Sequence, residues 1–361
     1  MLLTSVAVLA LLPLAALYGV FDAIVDDRVT PDSSLIYFPA AEALLEGEHI
    51  YPAGPGVSIS DYIYPPMTAV AVVPLSAFSV QAAELIFAVL LVLAFAATLA
   101  VAGVRDWRCY GLAFLWPPVL DGIQTGNVTI FLGLAAALVW RFRDRSRTAG
   151  VALGLGVACK LVLWPLAVWL AATRRSAALL WTIGVGVATL AATWSMIGFE
   201  GLVDYPDLVR RSTEIYERQS YTIYALALDF GLGSTIARAL WLALAVGTLV
   251  LAVGAARRGS ERQAFVLAIA ATIACSPIVW LHYFALLLVA AAVSQPRLTP
   301  VWFLGLPMHA FVTTGFYNGS TFQTGATLAT AAVTVAVLLR WPSTAGSGHR
   351  QNLPKTVAES Q

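Results

Sequence analysis

Four stretches of this chain, residues 1–21, 85–104, 176–199 and 239–256, each run for 18 residues or longer without a charged side chain. About 20 such residues, coiled as helix, cross the ~30 Å hydrocarbon core of a bilayer. The runs are continuously apolar rather than alternating, which selects helices over a transmembrane barrel. The whole chain shares the deficit: 11% of its residues are charged, against about 25% in a soluble domain. The sequence therefore predicts an all-α, polytopic transmembrane helical bundle covered mainly by lipid. A net charge of +1 leaves no footprint for nucleic acid. Residues 1–21 lack a basic start and an A-x-A ending, so they read as a retained first helix rather than a cleaved signal.

Basic residues sort the helix ends. Placing Arg105/Arg108, Arg141/Arg143/Arg145/Arg147, Arg174/Arg175, Arg257/Arg258/Arg262, Arg297, Arg340 and Arg350/Lys355 in the cytoplasm requires two crossings between neighbouring clusters. The segments that result are 1–21, 80–104, 109–121, 127–141, 148–160, 161–173, 177–198, 235–256, 263–282, 283–296, 299–316 and 322–341, about twelve crossings with both termini inside the plasma membrane. One transmembrane domain then covers 1–341, and the polar residues 342–361 form a disordered cytoplasmic tail. The outer face receives an acidic loop, 22–65, and a second loop, 199–220.

Segments 109–120, 128–140, 148–159 and 161–173 hold only 12 or 13 residues each. At that length a helix reaches ~18–20 Å. Their outer turns, at Asp121–Asn127 and around Lys160, must then lie below the membrane surface and line a wet cavity. A competing reading makes 148–173 one tilted helix of 26 residues.

Residues 22–61 carry eight carboxylates against one Arg28. Leu35 to Leu45 has the apolar spacing of an amphipathic helix lying along the membrane, ended by Gly47. Asp32 precedes it. A carboxylate near low-dielectric surface holds protons more tightly and can act as a general base, whereas an Asp before a helix can equally cap it. The residues alone leave both roles open, with Asp26 and Asp27 as alternates for the base. Asp121, Gln124 and Asn127 share the sunken turn and either meet sugar hydroxyls or cap short helices. Lys160 is the only lysine before residue 355 and lies in an apolar stretch, where a cation suits a phosphate or else snorkels to the interface. His282, at a proposed outer helix end, can donate to phosphate or sugar. His309 is a weaker candidate. The sequons at Asn127 and Asn318 fall in segments read as lipid-buried. The three cysteines form no CxxC and read as packing residues. The sequence shows no metal-ligand motif, no cofactor motif and no nucleotide-binding glycine loop. A transporter or lipid flippase would use a similar cavity, and a scaffold would use only the helices. Short segments confined to the first half favour an enzyme over a transporter built from inverted repeats.

Taken in order, Asp32 before Tyr37-Phe-Pro-Ala-Ala-Glu-Ala-Leu-Leu-Glu-Gly-Glu-His-Ile-Tyr51, Tyr64-Pro65-Pro66 with Pro74, Gly126-Asn127-Val-Thr129, Ala149-Gly150 through Lys160 to Pro165, and Ser276-Pro277 with Trp280 and His282 resemble a known pattern. It is that of the GT-C superfamily of membrane glycosyltransferases, and within it family 87, which includes polyprenol-phosphate-mannose-dependent α-mannosyltransferases of actinobacteria. Where that family often shows Gly-Gln-x-Asn, this chain has Gln124 just upstream of Gly126-Asn127. The resemblance implies an inverting hexosyl transfer, with mannose as the sugar, from a polyprenyl-phosphate donor to a lipid- or glycan-linked acceptor on the outer face, without a cofactor. It also implies that Asp32 is the base, that Lys160 and His282 neutralise the leaving phosphate, and that Asn127, Gln124, Tyr37 and Tyr64 contact substrate.

Overall fold

The computed structural model describes residues 7–29, 31–52, 56, 58, 60–312 and 320–341. Among them every regular element is helical. The α-helices are α1 (Leu12–Val25), α2 (Phe38–Glu46), α3 (Pro66–Val72), α4 (Val80–Ala102), α5 (Trp107–Phe114), α6 (Pro117–Gln124), α7 (Thr129–Arg141) and α8 (Ser146–Cys159). They continue as α9 (Trp164–Ala172), α10 (Ser176–Ser195), α11 (Tyr205–Tyr216), α12 (Ile223–Asp229), α13 (Ser234–Arg257), α14 (Glu261–Ala274), α15 (Leu286–Ser294) and α16 (Thr321–Arg340). Short 3₁₀ and π turns join several of them.

Among the described residues four helices, α4, α10, α13 and α16, are long and apolar enough to cross a membrane. Their faces explain how they do it: Leu180, Ile183 and Val187 of α10 and Val246, Val250 and Leu251 of α13 are all exposed. In water such a surface would drive aggregation, whereas in hydrocarbon it is the solvated side. Shorter apolar helices of 10–17 residues pack between them, including Thr129–Arg141, Leu161–Ala172 and Leu281–Ser294. Every residue of α15 is buried, which makes it the central post of the bundle. Helices α8 and α10 approach closely because Gly150 and Gly154 face them: a Cβ on Gly150 would sit 2.5 Å from the Ala178 carbonyl oxygen.

The sequence expectations hold unevenly. The runs 85–104, 176–199 and 239–256 appear as α4, α10 and α13, whereas of 1–21 the first six residues lie outside the described residues and the rest forms a shorter apolar helix that runs on to Val25. The chain breaks at Lys160, whose φ of −152° is extended, so 148–173 is two helices and not one. The expected 109–121 helix is split at Trp116, because Pro117 and Pro118 cannot donate back into the preceding turn. The expected 263–282 helix stops at Ala274, and Ser276-Pro277 lead instead to a 3₁₀ turn, Leu281–Ala285. In place of a helix over 299–316 there are two 3₁₀ turns, Pro300–Phe303 and Leu306–Ala310, each opened by a proline, while 313–319 lie outside the described residues. The second loop, 199–220, contains the amphipathic helix α11. Helix α2 forms and ends at Gly47 as expected, but its apolar residues Phe38, Ala40 and Ala41 are buried against protein rather than laid on lipid. The tail from 342 and the Asn318 sequon fall outside the described residues.

Candidate active site

The turn after α1 fixes the first carboxylates. Arg28 pairs with Asp22, and with Asp26 at 3.5 Å, all in exposed positions. Asp27 is exposed on the same turn at φ +51°. The two alternates thus face solvent beside an arginine. Asp32 is placed differently. Its backbone N–H donates to the Thr125 carbonyl over 2.6 Å, which fastens the first loop to the turn between α6 and α7. Gly126 makes this contact possible. It adopts φ +59°, and a Cβ there would stand 2.6 Å from Ser33 Oγ.

Asn127 is 1% exposed and is the hub of the site. Its Oδ1 accepts from the Thr129 backbone N–H at 3.0 Å and from Thr129 Oγ1 at 2.7 Å. A backbone N–H can only donate, so this contact fixes the amide orientation and turns Nδ2 outward. Nδ2 donates to Asp32 Oδ2 over 2.6 Å and lies 3.5 Å from the Tyr64 hydroxyl. Lys160 Nζ in turn donates to Thr129 Oγ1 over 3.2 Å. The run Lys160, Thr129, Asn127, Asp32 is therefore a chain in which every donor points towards the carboxylate. Such chains polarise along their length and favour charge at the accepting end.

Lys160 stands where α8 ends. Thr68 Oγ1 donates to the neighbouring Cys159 carbonyl over 2.9 Å and holds that terminus. A cation at a helix C-terminus is favoured by the backbone dipoles. The ammonium also lies 4.3 Å from the centre of the Tyr283 ring and 5.2 Å from that of Tyr64. Tyr64 is set by Pro65-Pro66, its carbonyl accepts from Tyr51 Oη at 3.1 Å, and its ring meets buried Tyr37 edge-on at 5.1 Å. His282 is 3% exposed, with Nδ1 3.3 Å from Asp121 Oδ2; Nε2 is buried without a hydrogen-bond partner among the described residues. Desolvation pushes the Asp32 carboxyl above the usual carboxylate range, against the opposing pull of His282, the Asn127 hydrogen bond and Lys160.

A cavity of about 210 Å³ opens beside this network. Its wall includes Lys160, Tyr64 and Tyr283 together with Leu161, Trp164 and Trp280. Leu161 and Trp164 are 45% and 43% exposed, so the cavity continues onto an apolar outer surface.

The structure thus brings together Asp32, Asn127, Tyr64, Tyr37 and Lys160, with His282 close enough to act on the Asp32 charge. Gln124, in the last turn of α6, is half-buried and makes no side-chain hydrogen bond among the described residues, so it does not join the network. His309 is occupied elsewhere, 2.6 Å from the Leu115 carbonyl. Thr129, Tyr283 and the Asp121–His282 pairing were not singled out from the sequence. Thr129 closes the Gly126-Asn127-Val-Thr129 motif two positions after Asn127 and Tyr283 follows His282, and only the fold pairs positions as distant as 121 and 282. No group of His, Cys, Asp and Glu that could hold a metal ion occurs among the described residues.

No curated protein and no solved structure matches this chain. A family model does match, over residues 62–283, a region that contains Tyr64, Asn127, Lys160 and His282 and leaves Asp32 and Tyr37 ahead of it. Four membrane-length helices, a buried polar network beside a cavity that opens onto apolar surface, and a match over more than half of the 361 residues agree: the chain belongs to glycosyltransferase family 87.

Proposed function

We propose that this membrane glycosyltransferase moves a hexose, mannose in the first instance, from a polyprenyl-phosphate sugar to a hydroxyl of a lipid- or glycan-linked acceptor at the outer face of the plasma membrane. One observation carries the donor class. The cavity wall carries the cation of Lys160 together with the exposed apolar side chains of Leu161 and Trp164. A phosphate with a hydrocarbon tail complements both, with charge at one end and chain at the other. Lys160 holds the phosphate as a point charge, and the tail lies along the apolar wall into the bilayer.

In this reading Asp32 Oδ2 stays bound to Asn127, and Oδ1 takes the proton of the acceptor hydroxyl. The hydroxyl oxygen attacks the anomeric carbon from the side opposite the phosphate. The carbon–oxygen bond to phosphate breaks, its electron pair leaves with the phosphate, and the anomeric configuration inverts. Lys160 and His282 stabilise the charge that develops there, with His282 held by Asp121. A phosphate leaving group needs no proton from a strong acid, so one carboxylate suffices. Tyr64 forms the wall against which the sugar lies, and buried Tyr37 packs behind it.

The test is purified protein with polyprenyl-phosphate-mannose and a panel of acceptor lipids. Asp32→Asn is expected to abolish transfer while donor binding persists. Transfer that survives in Asp32→Asn, or a protein that consumes only nucleotide sugars, overturns the reading.

A further inference from the structure

Helix α7 runs from Thr129, in the polar network, to Arg141, a separation of roughly 18–20 Å for its length. At that far end lies a recess of about 930 Å³, bounded by the last turn of α4, the last turn of α7, the start of α14 and the chain just after α15. Its walls carry five arginines, Arg105, Arg141, Arg143, Arg262 and Arg297, against one carboxylate, Asp106. Asp106 is already bound by Arg108 at 2.8 Å. Arg143 is matched by Glu261 at 3.2 Å, and Arg262 donates to the Leu338 carbonyl over 2.7 Å. Arg105, Arg141 and Arg297 are exposed, and their guanidinium groups make no ion pair or hydrogen bond among the described residues; the Arg297 carbonyl accepts from Trp302 Nε1.

Three unmatched guanidinium groups around one hollow repel each other unless an anion sits between them. The level of the recess narrows the choice of anion. It lies where the membrane-length helix α4 ends. Trp140 forms part of its wall, with the Arg143 guanidinium 4.4 Å from the ring centre. Tryptophan and arginine together mark the headgroup layer of a bilayer, and arginine forks onto phosphate oxygens through paired N–H groups. We propose that this recess binds the phosphate headgroup of an anionic phospholipid, in the leaflet opposite the one that faces Asp32. Its occupant is a structural lipid and not a substrate, because the length of α7 separates it from the reacting groups.

The test uses the purified full-length protein in nanodiscs of phosphatidylcholine with or without phosphatidylglycerol, followed by extraction and native mass spectrometry of the lipid retained. Wild type is expected to keep phosphatidylglycerol in preference to phosphatidylcholine. Each surface arginine contributes about fivefold to anionic-lipid affinity, so Arg141→Gln/Arg297→Gln is expected to lower retention about 25-fold with sugar transfer unchanged. If the double variant does not fold, Arg105→Gln alone gives the same reading at about fivefold. Equal retention by wild type and variant overturns the proposal. So does stabilisation by inorganic phosphate alone that matches the effect of phosphatidylglycerol, since that would make the recess a site for soluble anions.

Discussion

Asn127→Asp keeps the shape of the hub and reverses what it offers Asp32. In the native protein Nδ2 donates to Asp32 over 2.6 Å while Oδ1 caps Thr129. The substitution keeps the capping oxygen and turns the donor into a second carboxylate oxygen. Losing a hydrogen bond to a charged acceptor costs about 1.5–3 kcal/mol, or roughly one to two pKa units. A like charge centred about 4 Å away adds about 4 kcal/mol at an effective dielectric of 20, roughly three units more. Asp32 starts above the usual carboxylate range because it is desolvated. The two carboxylates then share a proton and titrate as a pair, which stays protonated at neutral pH. A base works only when deprotonated, so activity is lost as pH falls through its apparent pKa. Raising that value moves the acid limb of kcat/KM to higher pH. The expected outcome is a loss of about 100-fold or more at neutral pH, with activity climbing in the alkaline range and helix content by circular dichroism unchanged. The assay is the pH profile of sugar transfer by purified wild type and variant. An acid limb at the same pH in both proteins refutes the coupling between Asn127 and Asp32.

Other substitutions separate the remaining roles. Lys160→Met removes the cation of the cavity and is expected to weaken donor binding about 10- to 150-fold, from the ~1.5–3 kcal/mol of a charge-assisted hydrogen bond. It also removes a charge that lowers the Asp32 pKa, so the acid limb should move up in the same pH profile. Asp121→Asn leaves His282 without its carboxylate partner; kcat is expected to fall about tenfold or more, with donor affinity measured in parallel to show that binding is less affected. Gly126→Ala forces a Cβ to within 2.6 Å of Ser33 Oγ at a left-handed φ. A cost of about 1–2 kcal/mol should appear as a lower Tm, and displacement of Asp32 should appear as reduced kcat.

Much of the membrane architecture was legible because hydrocarbon imposes a length and a composition. Helices α4, α10 and α13 lie within a few residues of the uncharged runs that announced them. The shorter segments were misjudged where proline decided the outcome. Pro117 divides one expected helix, Pro277 follows the end of another, and Pro300 and Pro307 reduce a third to 3₁₀ turns. Hydropathy does not register these breaks, since proline in a protein-covered turn costs little apolar surface. The break at Lys160 was legible, because a cation and a short span pointed to the same residue. In the site, Asp32, Asn127, Tyr64 and Lys160 could each be chosen for residue type, but no local pattern reveals that Thr129 links the lysine to the amide. Asp26 and Asp27 could not be set aside from sequence, because the difference lies in the Thr125 carbonyl that anchors Asp32 and the arginine that draws Asp26 outward. Gln124 sits in the last turn of α6 and makes no side-chain hydrogen bond to Asn127, three positions along.

Lys160 has a practical use beyond the role proposed for it. The chain has only two lysines, and the other, Lys355, lies near its end. An amine-directed reagent therefore meets two lysines in this sequence, this ammonium and Lys355, besides the α-amino group. Removing the segment after residue 341 takes away Lys355. Protection of Lys160 from acylation by a bound lipid phosphate would then report occupancy of the cavity directly, in native membranes and with no sugar transferred.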